Sequence, residues 1–193
     1  QLVEQARDLW YQRILPFAHN VATRTPAPHP AAPVPADPTW PDQARRIVNR
    51  LSTTCGHRAR RIDHIGSTAV PGMDAKDVID VQVTVDSLDV ADELADDLLR
   101  AGYPRIESIS GDVPKPDARS ADGRFDHKDD PALWHKRFHA SADVGRPTNV
   151  HIRVEGRPNQ QFALLFVDWL TANPAVQSEY LAVKRAAARQ PDA

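Results

Sequence analysis

The chain has one cysteine, Cys55, among 193 residues. An internal disulfide is therefore excluded, which fits a reducing cytoplasm. No Cys/His/Asn pattern surrounds Cys55, so it reads as a structural or surface thiol rather than a nucleophile. Long hydrophobic runs are absent as well. None approaches the roughly 20 residues that span a bilayer, and no basic start followed by an apolar stretch marks a secretory signal. Charge of one sign is lacking: 24 basic residues face 26 acidic ones, for a net charge of -2. That balance gives no general attraction to nucleic acid or to an anionic membrane, and it leaves a local basic pocket open. No Gly-x-x-x-x-Gly-Lys-Ser/Thr run occurs, so no P-loop is encoded in these residues. The chain opens at Gln1 without a methionine and enters a helix at once, and we read it as a piece of a longer polypeptide.

What is present suffices for one domain with a core plus appendages, at 41% hydrophobic. Residues 1–17 form an amphipathic pattern, with Leu2, Ala6, Leu9, Trp10 and Ile14 on one face and Pro16 expected to end the helix. Residues 24–38 set Pro26, Pro28, Pro30, Pro33, Pro35 and Pro38 among alanines without an apolar period, which reads as a semi-rigid linker. The main domain is expected over residues 39–193.

Within it, Pro41 suits a first helical turn, Ala44, Ile47, Val48 and Leu51 supply a core face, and Gly56 closes the helix. Residues 61–65 read as a short strand. Residues 78–85 give the strongest strand signal, with Ile79, Val81, Val83 and Val85 on one face and Asp80, Gln82 and Thr84 on the other. A helix is expected over 88–101, stopped by Gly102. Its acids, such as Asp92 and Asp97, read as a solvated face, because they lack the glycine alternation of a calcium loop. Residues 110–131 read as a long functional loop. Two strands, 136–142 and 148–154, flank a turn at 143–147. Helices follow at 158–172, carrying Phe162, Leu165, Phe166, Trp169 and Leu170, with Trp169 read as a core or interface anchor, and from Pro174 to about Ala188. The run Arg45, Arg46, Arg50, Arg58, Arg60 and Arg61 reads as an exposed basic helix face. The architecture expected is α/β, a mixed sheet flanked by helices.

The stretch that can carry chemistry is His64-Ile-Gly66-Ser67-Thr-Ala-Val-Pro-Gly72, then Lys76, then Asp80-Val-Gln82. A Gly-Ser turn offers backbone N–H groups and a hydroxyl with no bulky side chain in the way, which suits a phosphate. Lys76 can add positive charge. Two polar side chains two apart on a strand share a face and can converge on one metal ion or nucleotide.

This layout resembles the nucleotidyltransferase superfamily, whose Gly-Ser turn is followed by Asp-x-Asp or Asp-x-Glu on the next strand. The resemblance implies Asp80 as a catalytic carboxylate and Mg2+ ligand, and ATP or another nucleotide as ligand. Gln82 departs from the pattern, since a neutral oxygen replaces the second carboxylate. More narrowly, the run from His64 to Asp80 resembles the GrpB family. So do Asp37-Pro-Thr-Trp-Pro41, His151 with Glu155, and Asp168, Leu170, Pro174, Tyr180 and Lys184 near the end. Where that family has proline after the lysine, this chain has Asp77. GrpB-like domains are found fused behind dephospho-CoA kinases, and the opening helix resembles the end of such a kinase. The resemblance therefore implies three segments: 1–23 as the closing helix of a kinase domain, 24–38 as linker, and 39–193 as the GrpB-like domain. The parent polypeptide would phosphorylate the 3′-hydroxyl of dephospho-CoA with ATP. The kinase domain would be this domain's partner, and neither nucleic acid nor membrane is expected. Three roles remain open: an accessory domain for kinase folding, solubility or regulation; an active Mg-dependent nucleotidyltransferase; and a nucleotide-binding module without catalysis.

A hairpin centred on Gly145 would set His139 almost opposite His151. Zinc is a weak reading, because no third ligand has the spacing. The stronger reading is a polar sheet face of Asp80, Gln82, Asn149, His151 and Arg153 with Arg137 or His139 beside it, suited to a nucleotide phosphate or else an idle surface. His64 and Lys76 each have a structural or solvated alternative to ligand binding.

Overall fold

The computed structural model describes residues 1–30, 32–114, 118–119, 125–126 and 130–187. The chain opens with helix α1 (Leu2–Leu9), a π-helical stretch (Trp10–Ile14) and α2 (Leu15–Thr23). The helix thus runs through Pro16 instead of ending there. The wide π turn directly before the proline shifts the hydrogen-bond register and accommodates its missing donor. Arg24, in the left-handed region at φ 54°, closes the helix.

The proline segment is not a free linker. Ala27 N–H donates to Ser141 O at 2.8 Å. Further on, strand β1 (Pro33–Val34) pairs antiparallel with β3 (Ala75–Lys76). Between these two anchors the segment forms a strap across the domain. Helix α3 (Trp40–Cys55) starts at a buried Trp40 whose Nε1 donates to Asp77 Oδ1 at 2.8 Å. Ala44, Ile47, Leu51 and Cys55 bury the face that its spacing sets out, and Gly56 follows at φ 57°.

Strands β2 (Arg61–Ile65), β4 (Ile79–Val85), β7 (Arg137–Ala140) and β8 (Thr148–Val154) form one sheet in the order β2-β4-β8-β7. Only the β4–β8 pair is parallel, so the sheet is mixed. Alternation sends Ile79, Val81, Val83, Val150 and Ile152 to one face, where they pack with α3, α4 (Leu88–Glu93) and α5 (Ala95–Arg100). The expected single helix over 88–101 is therefore two short ones with a break at Leu94, itself buried in the core. Ser87 caps the first by accepting from Val90 N–H.

The opposite sheet face carries the polar side chains and is covered by α6 (Pro158–Ala172). A short turn (Pro174–Val176) leads to α7 (Gln177–Ala187). The expected end near Ala188 falls outside the described residues. Leu170 forms a small second core with Val70 and Met73, joined by Phe166, Tyr180 and Leu181. Phe162, Leu165 and Trp169, the last read as a core or interface anchor, are exposed, because α6 buries only a narrow stripe. Of the expected loop, Gly111 bridges His135, β5 (Ala118–Arg119) pairs with β6 (Phe125–Asp126), and a 3-10 turn covers Pro131–Trp134. The rest of that loop, 115–117, 120–124 and 127–129, lies outside the described residues. Among the described residues no helix is long and apolar enough to cross a membrane.

Candidate functional site

The Gly-Ser turn and the polar side of β4 share one cleft. Ile65 pairs with Asp80, so the chain leaving β2 passes directly over the carboxylate. Gly66 sits there at φ 74°, and a Cβ added to it would stand 2.7 Å from Asp80 Oδ2. Both facts demand glycine: the backbone lies in the left-handed region, and the acid fills the space a side chain would need.

Asp80 presents its two oxygens differently. Oδ1 accepts from Asn149 Nδ2 at 2.8 Å and from His151 Nε2 at 3.3 Å. Oδ2 takes no hydrogen bond from the described residues and faces the Gly66 turn. Burial raises the carboxyl pKa, but the donors and the Lys184 charge outweigh it, and the net shift is downward. The His151 tautomer follows from its neighbours. Lys136 Nζ and Arg153 Nη2 both lie 3.2 Å from Nδ1 and can only donate, so Nδ1 carries the lone pair and Nε2 the proton. Burial first, and then the Arg153 and Lys136 charges, hold that imidazole neutral against the pull of Asp80.

Ser67 is buried, and its Oγ accepts from Lys184 Nζ at 3.0 Å. Lys184 on α7, Lys76 on β3 and His29 from the strap surround a pocket of about 220 Å3 that also reaches Asp80 and Asn149. Burial lowers the His29 pKa, with Asp80 raising it and Lys76 lowering it. On the far side of Asp80 a larger cavity, about 470 Å3, runs between His151, Arg153 and an aromatic wall that includes Trp134, Phe166 and Tyr180. The two spaces meet at the Asp80 carboxylate.

Several expected site residues lie elsewhere. Phe138, not His139, pairs with His151; their rings are 5.0 Å apart. The hairpin is therefore one residue out of the register expected from Gly145. A slip of one residue in a strand moves every side chain to the other face. Arg137 and His139 consequently point away from the cleft. Arg137 pairs with Asp92 of α4. His139 is fully buried with Nδ1 2.9 Å from Tyr103 O, so Nδ1–H donates and the unpartnered Nε2 lies in the core. His64 also faces away, on the α3 side. Its Nε2 lies 3.0 Å from Thr68 Oγ1, which donates to Val78 O, so the ring braces the turn from behind.

Gln82 shares the Asp80 face but lies wholly buried. Its Oε1 accepts from Arg153 at 2.8 Å and its Nε2 donates to Gln160 O at 3.2 Å. Arg153 in turn pairs with Asp112, which also holds the buried Lys136. Burial opposes ionisation of Asp112, yet Arg153 and Lys136 hold its carboxyl well below the usual carboxylate range. Burial lowers the Lys136 pKa in spite of Asp112. No group of three or more His, Cys, Asp or Glu that could hold a metal ion occurs among the described residues. Among the described residues that line the two cavities, Asp80 Oδ2 is the one carboxylate oxygen without a hydrogen-bond partner.

Sequence reasoning placed Asn149 on this polar face but missed Lys136, Asp112, Lys184 and His29 as cleft residues. Lys184 had a signal in its spacing from Tyr180. His29 had none, because prolines on both sides suggested an idle linker.

The fold is an α/β domain built on a mixed sheet, in which a Gly-Ser turn crosses an acid on the neighbouring strand. The chain belongs to the GrpB protein family, whose family model matches residues 31–193. It is 68% identical to a dephospho-CoA kinase of Mycobacterium tuberculosis over 99% of this chain and 48% of that protein. The chain therefore spans about half the length of such relatives. A UPF0157 protein of Halalkalibacterium halodurans is 32% identical over 77% of this chain and 65% of that protein. The crystal structure of the conserved protein GrpB from Enterococcus faecalis superposes with a TM-score of 0.62 at 24% identity, covering 82% of this chain and 83% of that one.

Proposed function

We propose that this domain is a nucleotide-binding accessory unit of a polypeptide that also carries a dephospho-CoA kinase, serving that kinase's folding, solubility or regulation. The observation that carries the ligand is the Lys184–Ser67 contact beside Gly66, with Lys76 and His29 around the same small pocket. Cations, a hydroxyl and turn amides together suit the phosphates of ATP or another nucleotide. The adjoining aromatic-walled cavity is large enough for a base and sugar, and ring faces favour stacking. Asp80 Oδ2 can share a Mg2+ ion that arrives with the phosphates. The accessory role draws on the relatives' name and on the opening helix, where Leu2 is 82% and Trp10 49% exposed. Such apolar side chains need a covering surface, and the kinase half of the polypeptide supplies one.

Isothermal titration with ATP, CTP and CoA species tests the ligand. Lys184→Ala and Ser67→Ala should each weaken binding by about tenfold, the worth of a charge-assisted hydrogen bond. Heat from none of these ligands would refute nucleotide binding. The accessory role fails if the kinase half alone is as soluble and active as the whole polypeptide.

The free Oδ2 of Asp80 favours a second reading, Mg-dependent nucleotidyl transfer. Gln82, locked under Arg153, weighs against it. Label transfer from NTPs to an acceptor, abolished by Asp80→Asn, would establish this reading, and no transfer would reject it.

A further inference from the structure

The six-arginine run is not uniform. Arg45 pairs with Asp42, Arg58 with Asp97, Arg60 with Asp86 and Arg61 with Asp63. Arg46 and Arg50 have no carboxylate partner among the described residues. Their spacing on α3 places them on one helical face with Gln43 and Ile47. That face forms one wall of a cavity of about 340 Å3, on the side of the sheet away from Asp80.

The other walls concentrate positive charge further. Arg146, from the β7–β8 turn, reaches in and is held by Gln43 Oε1 and by Asp77, both its backbone O and Oδ1. Its Nε is buried without a partner. Arg50 lies 5.8 Å from the Tyr103 ring centroid, a cation–π contact that leaves its N–H fork available. The acids nearby are already engaged: Asp143 by Arg13 and Asp77 by Arg146. Two guanidinium groups at the cavity wall thus remain uncompensated.

The remaining wall is the N-terminal helix. Phe17 of α2 lines the cavity and packs so closely on Gly102, at φ 89°, that a Cβ there would meet the ring at 2.6 Å. Arg13 lies over Gly145, where a Cβ would overlap its guanidinium, and Asn20 Nδ2 donates to Ala142 O at 3.0 Å. The cavity therefore sits in the joint between the opening helix and the domain.

We propose that this joint is a second anion site, separate from the Asp80 cleft, that takes a phosphorylated small molecule through Arg46 and Arg50 and clamps the N-terminal helix in its docked position. Planar forks suit phosphate oxygens bidentately, and Ile47 and Phe17 offer apolar contact to the ester group. An anion shared between α3 and the helix-bearing wall stabilises the docked arrangement by mass action.

Titration of the whole chain with inorganic pyrophosphate tests this. Wild type should bind at two sites. Arg46→Ala/Arg50→Ala should abolish one, weakening it by about tenfold or more per guanidinium, while the Lys184-dependent site persists. Arg46→Lys, which keeps the charge and loses the fork, should retain weakened binding. Amide exchange of residues 13–21 should slow on adding pyrophosphate to wild type and not to the double variant. Unchanged stoichiometry in the double variant, or exchange that ignores the ligand, overturns the proposal. A single site in wild type that the Arg46→Ala/Arg50→Ala variant abolishes would instead count against the nucleotide cleft and leave this site standing.

Discussion

His139 permits a quantitative test of the strand register. Its imidazole is fully buried, and burial pushes its pKa down to about 4, the Tyr103 carbonyl only partly offsetting this. An unfolded histidine titrates near 6.5. Above pH 6.5 the ring is neutral in both states and adds no pH dependence. Below it the unfolded chain binds a proton that the fold refuses, so stability falls as acid is added. The slope is about 1.4 kcal/mol per pH unit, and the loss reaches about 2 kcal/mol at pH 5 and about 3 kcal/mol below pH 4. His139→Asn keeps a side-chain N–H for Tyr103 O and removes the titrating group. Urea unfolding at pH 7.5 and pH 5.0 should show wild type losing about 2 kcal/mol more than the variant over that interval. The other histidines are present in both proteins and cancel. Equal losses would refute the buried, neutral His139 and with it the hairpin register.

Three further outcomes follow from the geometry. Gly66→Ala meets both the left-handed backbone and Asp80 Oδ2, and should cost at least about 1–2 kcal/mol in urea unfolding while abolishing nucleotide binding; an unaltered variant would disprove the close approach. Cys55 is wholly buried with its thiol pushed up to about 11, so a disulfide reagent at pH 8 should label it only on unfolding; rapid labelling of the native protein would contradict the packing. Trp40→Ala should destabilise by about 3–5 kcal/mol, because it opens a cavity and strips a donor from Asp77; a loss under 1 kcal/mol would show that α3 and the turn after β3 are not tied there.

The strands and helices of the core were legible because their periods are clean. Val81 and Val83 alternate with Gln82 and Thr84, and Ala44, Ile47 and Leu51 recur at helical spacing. The Gly66–Asp80 contact was legible for another reason: few residue types tolerate that turn, and the strand that follows has only one carboxylate. The hairpin register was not legible. Apolar matching favours the wrong register: centring the turn on Gly145 sets Phe138 and Ala140 opposite Ile152 and Val150, whereas the observed pairing sets Phe138 opposite His151 and Ala140 opposite Asn149. Lys136 and Asp112 were invisible because a buried charge looks like a solvated one until its partner is known. Gln82 departs from the expected carboxylate in the sequence, but its burial and its contact with Arg153 were visible only in the structure.

The strap sets where this domain can be cut. A boundary at Thr39, where composition changes most sharply, would remove β1 and leave the Ala75–Lys76 edge bare. It would also delete His29 and the Ala27 anchor on Ser141. A truncation starting at or before Ala27 is expected to keep the pocket intact, whereas one at Thr39 keeps the sheet core and discards His29 and the buried Ala27. The same segment is at once the connection from the opening helix and, through His29, a wall of the small pocket beside Asp80.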